Sequence, residues 1–308
     1  MNDRIVPGAN KLATAMAPAM PSRKTKVLVL GASGMLGNAM LRLFTHSGGF
    51  EVFGSARSSA GVDLLPQSLR EHVVCGIDAE NADSLMGLFA RIRPDVVINC
   101  IGLVKQLAEA DDPLQAIPIN ALLPHRIARL CQVAGARFVH ISTDCVFSGT
   151  KGMYREDDSC DAQDLYGLSK HLGEVDCPNA VTLRTSIIGH ELAGAHGLVG
   201  WFLAQGGPVR GFTRAIFSGL PTVELARVIR DHVLAQPQMH GLYHVSAAPI
   251  AKYELLRLVA QAYRRVNQIT PDDKLVIDRS LDSTRFRQLT GYVPPPWPEL
   301  VQTMHDFA

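Results

Sequence analysis

The sequence predicts an α/β fold, a Rossmann-type doubly wound parallel sheet with a small C-terminal lobe. Short, wholly apolar strands alternate with helical stretches through the first half of the chain. A glycine-rich turn sits directly between the first strand and the first helix. After about Ile188 the alternation loosens, and Gly194, Gly197, Gly200, Gly206 and Gly207 crowd together.

Each element follows from its pattern. Lys26-Val27-Leu28-Val29-Leu30 is apolar on both faces, as buried strands of parallel sheets are. A helical pattern runs from Met35 to Phe44. Strands are expected at Glu51–Gly54, His72–Cys75, Asp95–Asn99, Arg137–Ser142 and Ala180–Arg184. Helices are expected near Ser84–Ile92, Pro113–Val133 and Leu165–Val175. The second half suggests a helix near Val223–Ala235, a strand at Leu242–Val245 and a helix near Lys252–Arg264. The end is proline-rich, from Pro294 to Pro298.

The chain has 308 residues, 47% hydrophobic and 19% charged, which suits one sheet-based domain with an appendage. A formal net charge of +1 recommends neither nucleic acid nor an anionic membrane as partner. No apolar stretch reaches the ~18 to 20 residues of a membrane-spanning helix. The six cysteines, Cys75, Cys100, Cys131, Cys145, Cys160 and Cys177, form no CxxC pair. They read as small hydrophobes in a reducing cytosol, which places the chain in the cytoplasm. No Cys/His spacing suits a metal, and none is proposed. Leu12–Met20 is mildly apolar behind Lys11, but it is short and broken by Pro18, so residues 1–24 read as a flexible extension.

Gly31-Ala32-Ser33-Gly34-Met35-Leu36-Gly37 carries the first chemistry. A side chain there would block both the tight turn and the approach of backbone N–H groups to a pyrophosphate. The helix N-terminus adds partial positive charge. Residues 25–188 are therefore expected to form a dinucleotide-binding domain. Residues 189–308 would be mainly a substrate-binding lobe, with some elements returning to the sheet. An acidic residue about 20 positions past the glycines would select NAD. Arg57 stands there instead, and a guanidinium suits the 2′-phosphate of NADP(H). NADP(H) is preferred, with NAD(H) as the alternative. Asp78, beside Ala79, either accepts from the adenine amino group or caps the next helix. The small-residue turn Cys100-Ile101-Gly102 would let ribose and phosphates pass over the sheet edge.

Tyr166 and Lys170 are four apart and share a helix face. An adjacent ammonium would stabilise a phenolate and lower the tyrosine pKa, so that Tyr166 can give a proton to a carbonyl. Ser142 and Thr143 end the fifth strand, where a hydroxyl can bond the same carbonyl.

These residues resemble the extended short-chain dehydrogenases/reductases, and more finely their dTDP-4-dehydrorhamnose reductase-like branch. The likeness rests on Gly31/Gly34/Gly37, Ser142-Thr143-Asp144-Cys145-Val146-Phe147-Ser148-Gly149 and Tyr166 to Lys170. Leu172-Gly173-Glu174, Leu183-Arg184-Thr185-Ser186 and Leu281 to Phe286 extend it, so that it covers nearly everything from Lys26 onward. The resemblance implies Thr143 as hydroxyl partner, with Ser142 less favoured, Tyr166 as proton donor, and Lys170 at the nicotinamide ribose. It implies a nucleotide-linked keto-sugar as substrate, commonly a 4-ketone, in deoxysugar or surface-polysaccharide synthesis. It also implies a homodimer, since the Tyr166 helix is often a dimer face of the family. Three departures fall where the family meets its substrate. Cys145 replaces a usual aromatic, Asp161–Leu165 lacks the usual proline, and Ile101–Gln106 lacks the alanine-rich acidic pattern. The sugar is therefore left open. An epimerase or dehydratase holding NAD(H) is a second reading. An NADP-binding regulatory subunit, like the methionine adenosyltransferase partners of this branch, is a third.

Of the remaining candidates, Arg184 is expected to be structural, and Arg210 and Arg214 either meet a diphosphate or lie on a solvated face. Trp201 and Trp297 are expected to pack, and Asp282 and Ser283 to cap a helix.

Overall fold

In the computed structural model, which describes residues 23–105 and 108–308, six strands open the chain. They are β1 (Thr25–Leu30), β2 (Phe50–Ser55), β3 (Val73–Val74), β4 (Val96–Asn99), β5 (Arg137–Thr143) and β6 (Ala180–Thr185). A seventh, Gly241–His244, pairs parallel with β6. The sheet order is Gly241–His244, β6, β5, β4, β1, β2, β3, all parallel. The order reverses at β1, so a crevice opens between β1 and β4 at their C-terminal ends.

Strand periodicity divides the core. Val27 and Val29 face one side, with Met40, Phe44, Leu225 and Leu300. Leu28 and Leu30 face the other, with Leu85, Phe89, Ile127 and Phe138. Helices thus cover both faces, which is why β1 is apolar without alternation. The expected fold class holds. Three small sheets follow in the second half: Ile187–Ile188 with Leu220–Pro221, Val209–Phe212 with Ile269–Asp272, and Ala215–Phe217 between Ile250–Ala251 and Ile277–Asp278.

Several boundaries differ from expectation. The stretch expected as one helix from Pro113 to Val133 is three pieces: Pro113–Ala116, a π-turn over Ile117–Leu122, and Leu123–Ala134. Pro118 and Pro124 lack the N–H that an uninterrupted α ladder needs. The Tyr166 helix spans Leu165–Leu172, not to Val175. The proline-rich end starts a helix, Trp297–Asp306, because Pro298 falls in the first turn, where no N–H is required. Trp297 packs, as expected, with its indole Nε1 donating to the Ala248 carbonyl at 2.6 Å. Trp201 is half-exposed. The expected N-terminal extension, apart from Arg23 and Lys24, lies outside the described residues, as does Gln106.

Candidate active site

Glycine contacts build the turn after β1. Gly31 sits at φ +79°, a left-handed conformation that disfavours a side chain. A Cβ on Gly37 would fall 2.0 Å from the Gly31 carbonyl oxygen. A Cβ on Gly31 would press the Cys100 carbonyl at 3.3 Å and Ile101 at 3.0 Å. The turns after β1 and β4 therefore touch only because Gly31 is bare. The helix α1 (Met35–Thr45) begins at Gly34 with no side-chain cap. The N–H groups of Met35, Leu36 and Gly37 thus face the turn as an anion cradle.

Around this cradle, Arg57 is exposed just past β2. Ser33 packs beside Gly61, where a Cβ would come within 2.8 Å of the serine Cβ. Asp78 is exposed, and its Oδ1 accepts from the Glu80 N–H at 3.0 Å. It is not the helix cap; Asn81 is, accepting from the Ser84 N–H at 3.1 Å. Ala79 is half-buried next to it. Asn99, buried at the end of β4, accepts from the Ile101 N–H at 3.1 Å and fixes the Cys100–Gly102 turn.

Strand alternation separates the two hydroxyls of β5. Ser142 donates to Glu174 Oε1 at 2.8 Å, beneath the site, so its proton is not free for a carbonyl. Thr143 lies near enough to the Tyr166 phenol to pull its pKa down. The less favoured candidate, Ser142, is thus a structural partner of Glu174.

The Tyr166 helix is set by two close backbone approaches. A Cβ on Gly167 would lie 2.4 Å from the Cys145 carbonyl oxygen, and one on Gly173 would lie 1.9 Å from that of Asn120. Asp164 caps the helix by accepting from the Gly167 N–H at 2.8 Å, and Lys105 Nζ holds its other oxygen at 2.6 Å. Asn120, on the π-turn, accepts from the Leu103 N–H at 3.0 Å and donates to Ser169 Oγ at 3.3 Å. Sequence reasoning missed Asn120; its only signal was a polar residue on an otherwise apolar helical face.

Lys170 Nζ donates to the Ile141 carbonyl at 2.8 Å and would lie 3.9 Å from a Cβ on Gly102. Burial pushes its pKa down to about 8, with Glu174 opposing. Burial pushes the Tyr166 phenol up, reinforced by the Cys145 thiol and opposed by Thr143. This corrects the expectation that Lys170 lowers the tyrosine pKa: desolvation dominates, and the ammonium is turned to Ile141.

Below the site, Arg184 bonds Glu174 twice, through Nε and Nη2, each at 2.7 Å. Burial alone would push the Glu174 carboxyl up; Arg184, Ser142 and His171 outweigh it and hold it below its ordinary value. Cys160, His171 and Glu174 place ligand atoms within 4.8 Å of one another, a cluster that sequence spacing did not reveal. Arg184 Nη2 lies 3.1 Å from Cys160 Sγ, so a cation already occupies this group and repels a second. Arg184 is structural, as expected. Arg210 is exposed and pairs with Asp272 at 3.6 Å, and Arg214 is also exposed. Asp282 accepts from the Thr284 N–H at 2.8 Å, but Ser283 makes no capping bond and meets Ser246 instead at 2.9 Å. Among the described residues, no helix is long and apolar enough to cross a membrane.

Arg184→Ala would leave the half-buried Glu174 without its guanidinium, held only by Ser142 and His171. It is expected to cost about 3–5 kcal/mol in urea unfolding at neutral pH. The Glu174 pKa is depressed, so its share of stability is full above the unfolded carboxylate pKa, about 4.3. That share is lost as pH falls through the folded value. The gap between parent and variant should therefore shrink on acidification below about pH 4.

Known proteins are similar to this chain in sequence and fold. A zebrafish (Danio rerio) protein, methionine adenosyltransferase 2 subunit beta, is 28% identical over 77% of this chain and 74% of its own. A dTDP-4-dehydrorhamnose reductase from Aggregatibacter actinomycetemcomitans is 24% identical over 92% of this chain and 99% of its own. The crystal structure of the Bacillus anthracis dTDP-4-dehydrorhamnose reductase in complex with NADP superposes with a TM-score of 0.76 at 21% identity. It covers 94% of this chain and 100% of that one. The family model described as the RmlD substrate binding domain matches residues 25–307, and the chain belongs to that family, among the dTDP-4-dehydrorhamnose reductase-like extended short-chain dehydrogenases/reductases.

Proposed function

We propose that this chain is an NADPH-dependent reductase of a nucleotide-activated 4-keto-sugar, serving deoxysugar or surface-polysaccharide synthesis. One observation carries this: Lys170, one turn beyond Tyr166 on the same helix, lies beside the Gly102 turn, which itself touches the Gly31 cradle, while Thr143 lies near enough to Tyr166 to affect its pKa. The cradle fits a dinucleotide, because Gly31 and Gly34 carry no side chain where the uncapped N–H groups of α1 open. Gly31, Ser33, Gly34, Met35, Leu36 and Gly37 would hold the pyrophosphate and Arg57 the 2′-phosphate. Asp78 and Ala79 would line the adenine rim, with Cys100, Ile101 and Gly102 under the ribose. A nicotinamide held there would supply the hydride for the ketone carbon. Tyr166 gives its proton to the ketone oxygen, Thr143 bonds that oxygen, and Lys170 supplies positive charge beside the nicotinamide ribose.

A reductase needs Tyr166 protonated before hydride arrives, and its raised phenol pKa keeps the proton in place. The same shift weakens the phenol as an acid, so the positive charge of Lys170 is needed to ease the transfer. Exposed Leu114, Leu122, Leu168 and Leu172, on and beside the Tyr166 helix, make the face we assign to a homodimer. Monomer mass by light scattering at micromolar concentration would remove that assignment.

The similarity to methionine adenosyltransferase 2 subunit beta supports a second reading, a cofactor-binding regulatory subunit without turnover. NADPH oxidation, followed by absorbance against a panel of nucleotide-linked 4-keto-6-deoxy sugars, separates the two. The reductase reading expects turnover by the parent and a loss of about 100-fold or more in kcat for Tyr166→Phe. NADPH binding with no turnover on any sugar would favour the regulatory subunit. In the same assay, Arg57→Ala is expected to raise KM for NADPH about tenfold and to leave that for NADH unchanged.

A further inference from the structure

The Thr143 hydroxyl has one proton and two lone pairs. The Cys145 N–H, 3.1 Å away, uses one lone pair. Asp144 Oδ1, at 3.2 Å, takes the proton. One lone pair remains, and the Tyr166 phenol is near enough for Thr143 to affect its pKa. Thr143 can donate to Asp144 or toward Tyr166 and a substrate oxygen, but not to both. Asp144 is buried, 8% exposed, and the reaction outlined above gives it no task. The charges of Arg279 and Lys252 and the Cys145 thiol act on its carboxyl, and Asp144 in turn acts on the Tyr166 phenol. Lys105 and Asp164 face Cys145 and Tyr166 from the next shell of charge.

We propose that Asp144 is a positioning residue that sets the direction of the Thr143 hydroxyl. It thereby decides whether Thr143 accepts from Tyr166 or donates to a bound carbonyl. The proposal rests on the reductase reading above. An ionised carboxylate only accepts, so it draws the Thr143 proton to itself. Thr143 then turns a lone pair to Tyr166 and holds back the phenolic proton that the ketone needs. A protonated Asp144 donates into Thr143, and the Thr143 proton is released toward the substrate oxygen. Burial raises the Asp144 carboxyl above its ordinary value, opposed by Arg279 and by hydrogen bonds from Cys145 and Thr143. The neutral form therefore extends to higher pH than for a surface aspartate. Activity belongs to the low-pH side of this titration and falls as pH rises through it. Loss of the Lys170 proton, near pH 8, is a separate limb at higher pH.

The test has two arms. The first needs no sugar: infrared difference spectra, parent minus Asp144→Asn, follow the carboxylic acid C=O band against pH. Thr143→Val removes the donor and is expected to weaken Asp144 as an acid about tenfold. A titration unmoved by Thr143→Val overturns the proposal. The second arm measures kcat/KM against pH with a reduced sugar. Asp144→Asn should lose the lower limb, keep the Lys170 limb, and bind NADPH as the parent does. A lower limb that survives in Asp144→Asn overturns the proposal. If no sugar is reduced, the reductase reading fails by itself. The infrared arm then still decides whether Asp144 holds the Thr143 hydroxyl.

Discussion

The geometry above the sheet depends on one half-buried carboxylate. Glu174 follows the Tyr166 helix and receives Arg184 from β6, Ser142 from β5 and His171 from the helix itself. Removing two charges from water costs several kcal/mol per ion, so the pair persists only because its oxygens are fully used. Arg184 is also stacked over Phe147 at 5.2 Å and meets His244 of the seventh strand at 3.3 Å. Three adjacent strands and the helix that bears Tyr166 and Lys170 are thus tied to a single point.

Absent side chains complete what the ion pair begins. Gly167 and Gly173 let the helix rest on the backbones of Cys145 and Asn120 at distances that no Cβ permits. Gly37 does the same for α1 against Gly31. Backbone contact is stiffer than side-chain contact, because no rotamer can absorb a shift. Tyr166 is therefore placed to within the tolerance of a peptide group, which proton transfer over a hydrogen-bond length requires.

Burial then sets the charge states. Lys170 and Asp144 are buried and Tyr166 is half-buried, and desolvation moves each toward its neutral form. The phenol keeps its proton and the lysine sits near the edge of losing one. The site thereby keeps its protons around a hydroxyl that has only one to give.

Much of this was legible in the sequence. The parallel sheet follows from strands apolar on both faces, and the cradle from glycines spaced between a strand and a helix. Tyr166 and Lys170 were found because a four-residue spacing survives in any helix. These are local signals, and local backbone geometry produces them. What the tertiary structure decided is pairwise and long-range. Strand alternation turned Ser142 down to Glu174 and Thr143 up to Tyr166, a choice that depends on what covers each face of β5. The π-turn brought Asn120 to Ser169, 49 residues away in sequence. Arg184, Cys160 and Glu174 met only when β6 packed beside β5. The Tyr166 pKa moved opposite to expectation, because spacing shows which charge is near but only packing shows how much water is gone.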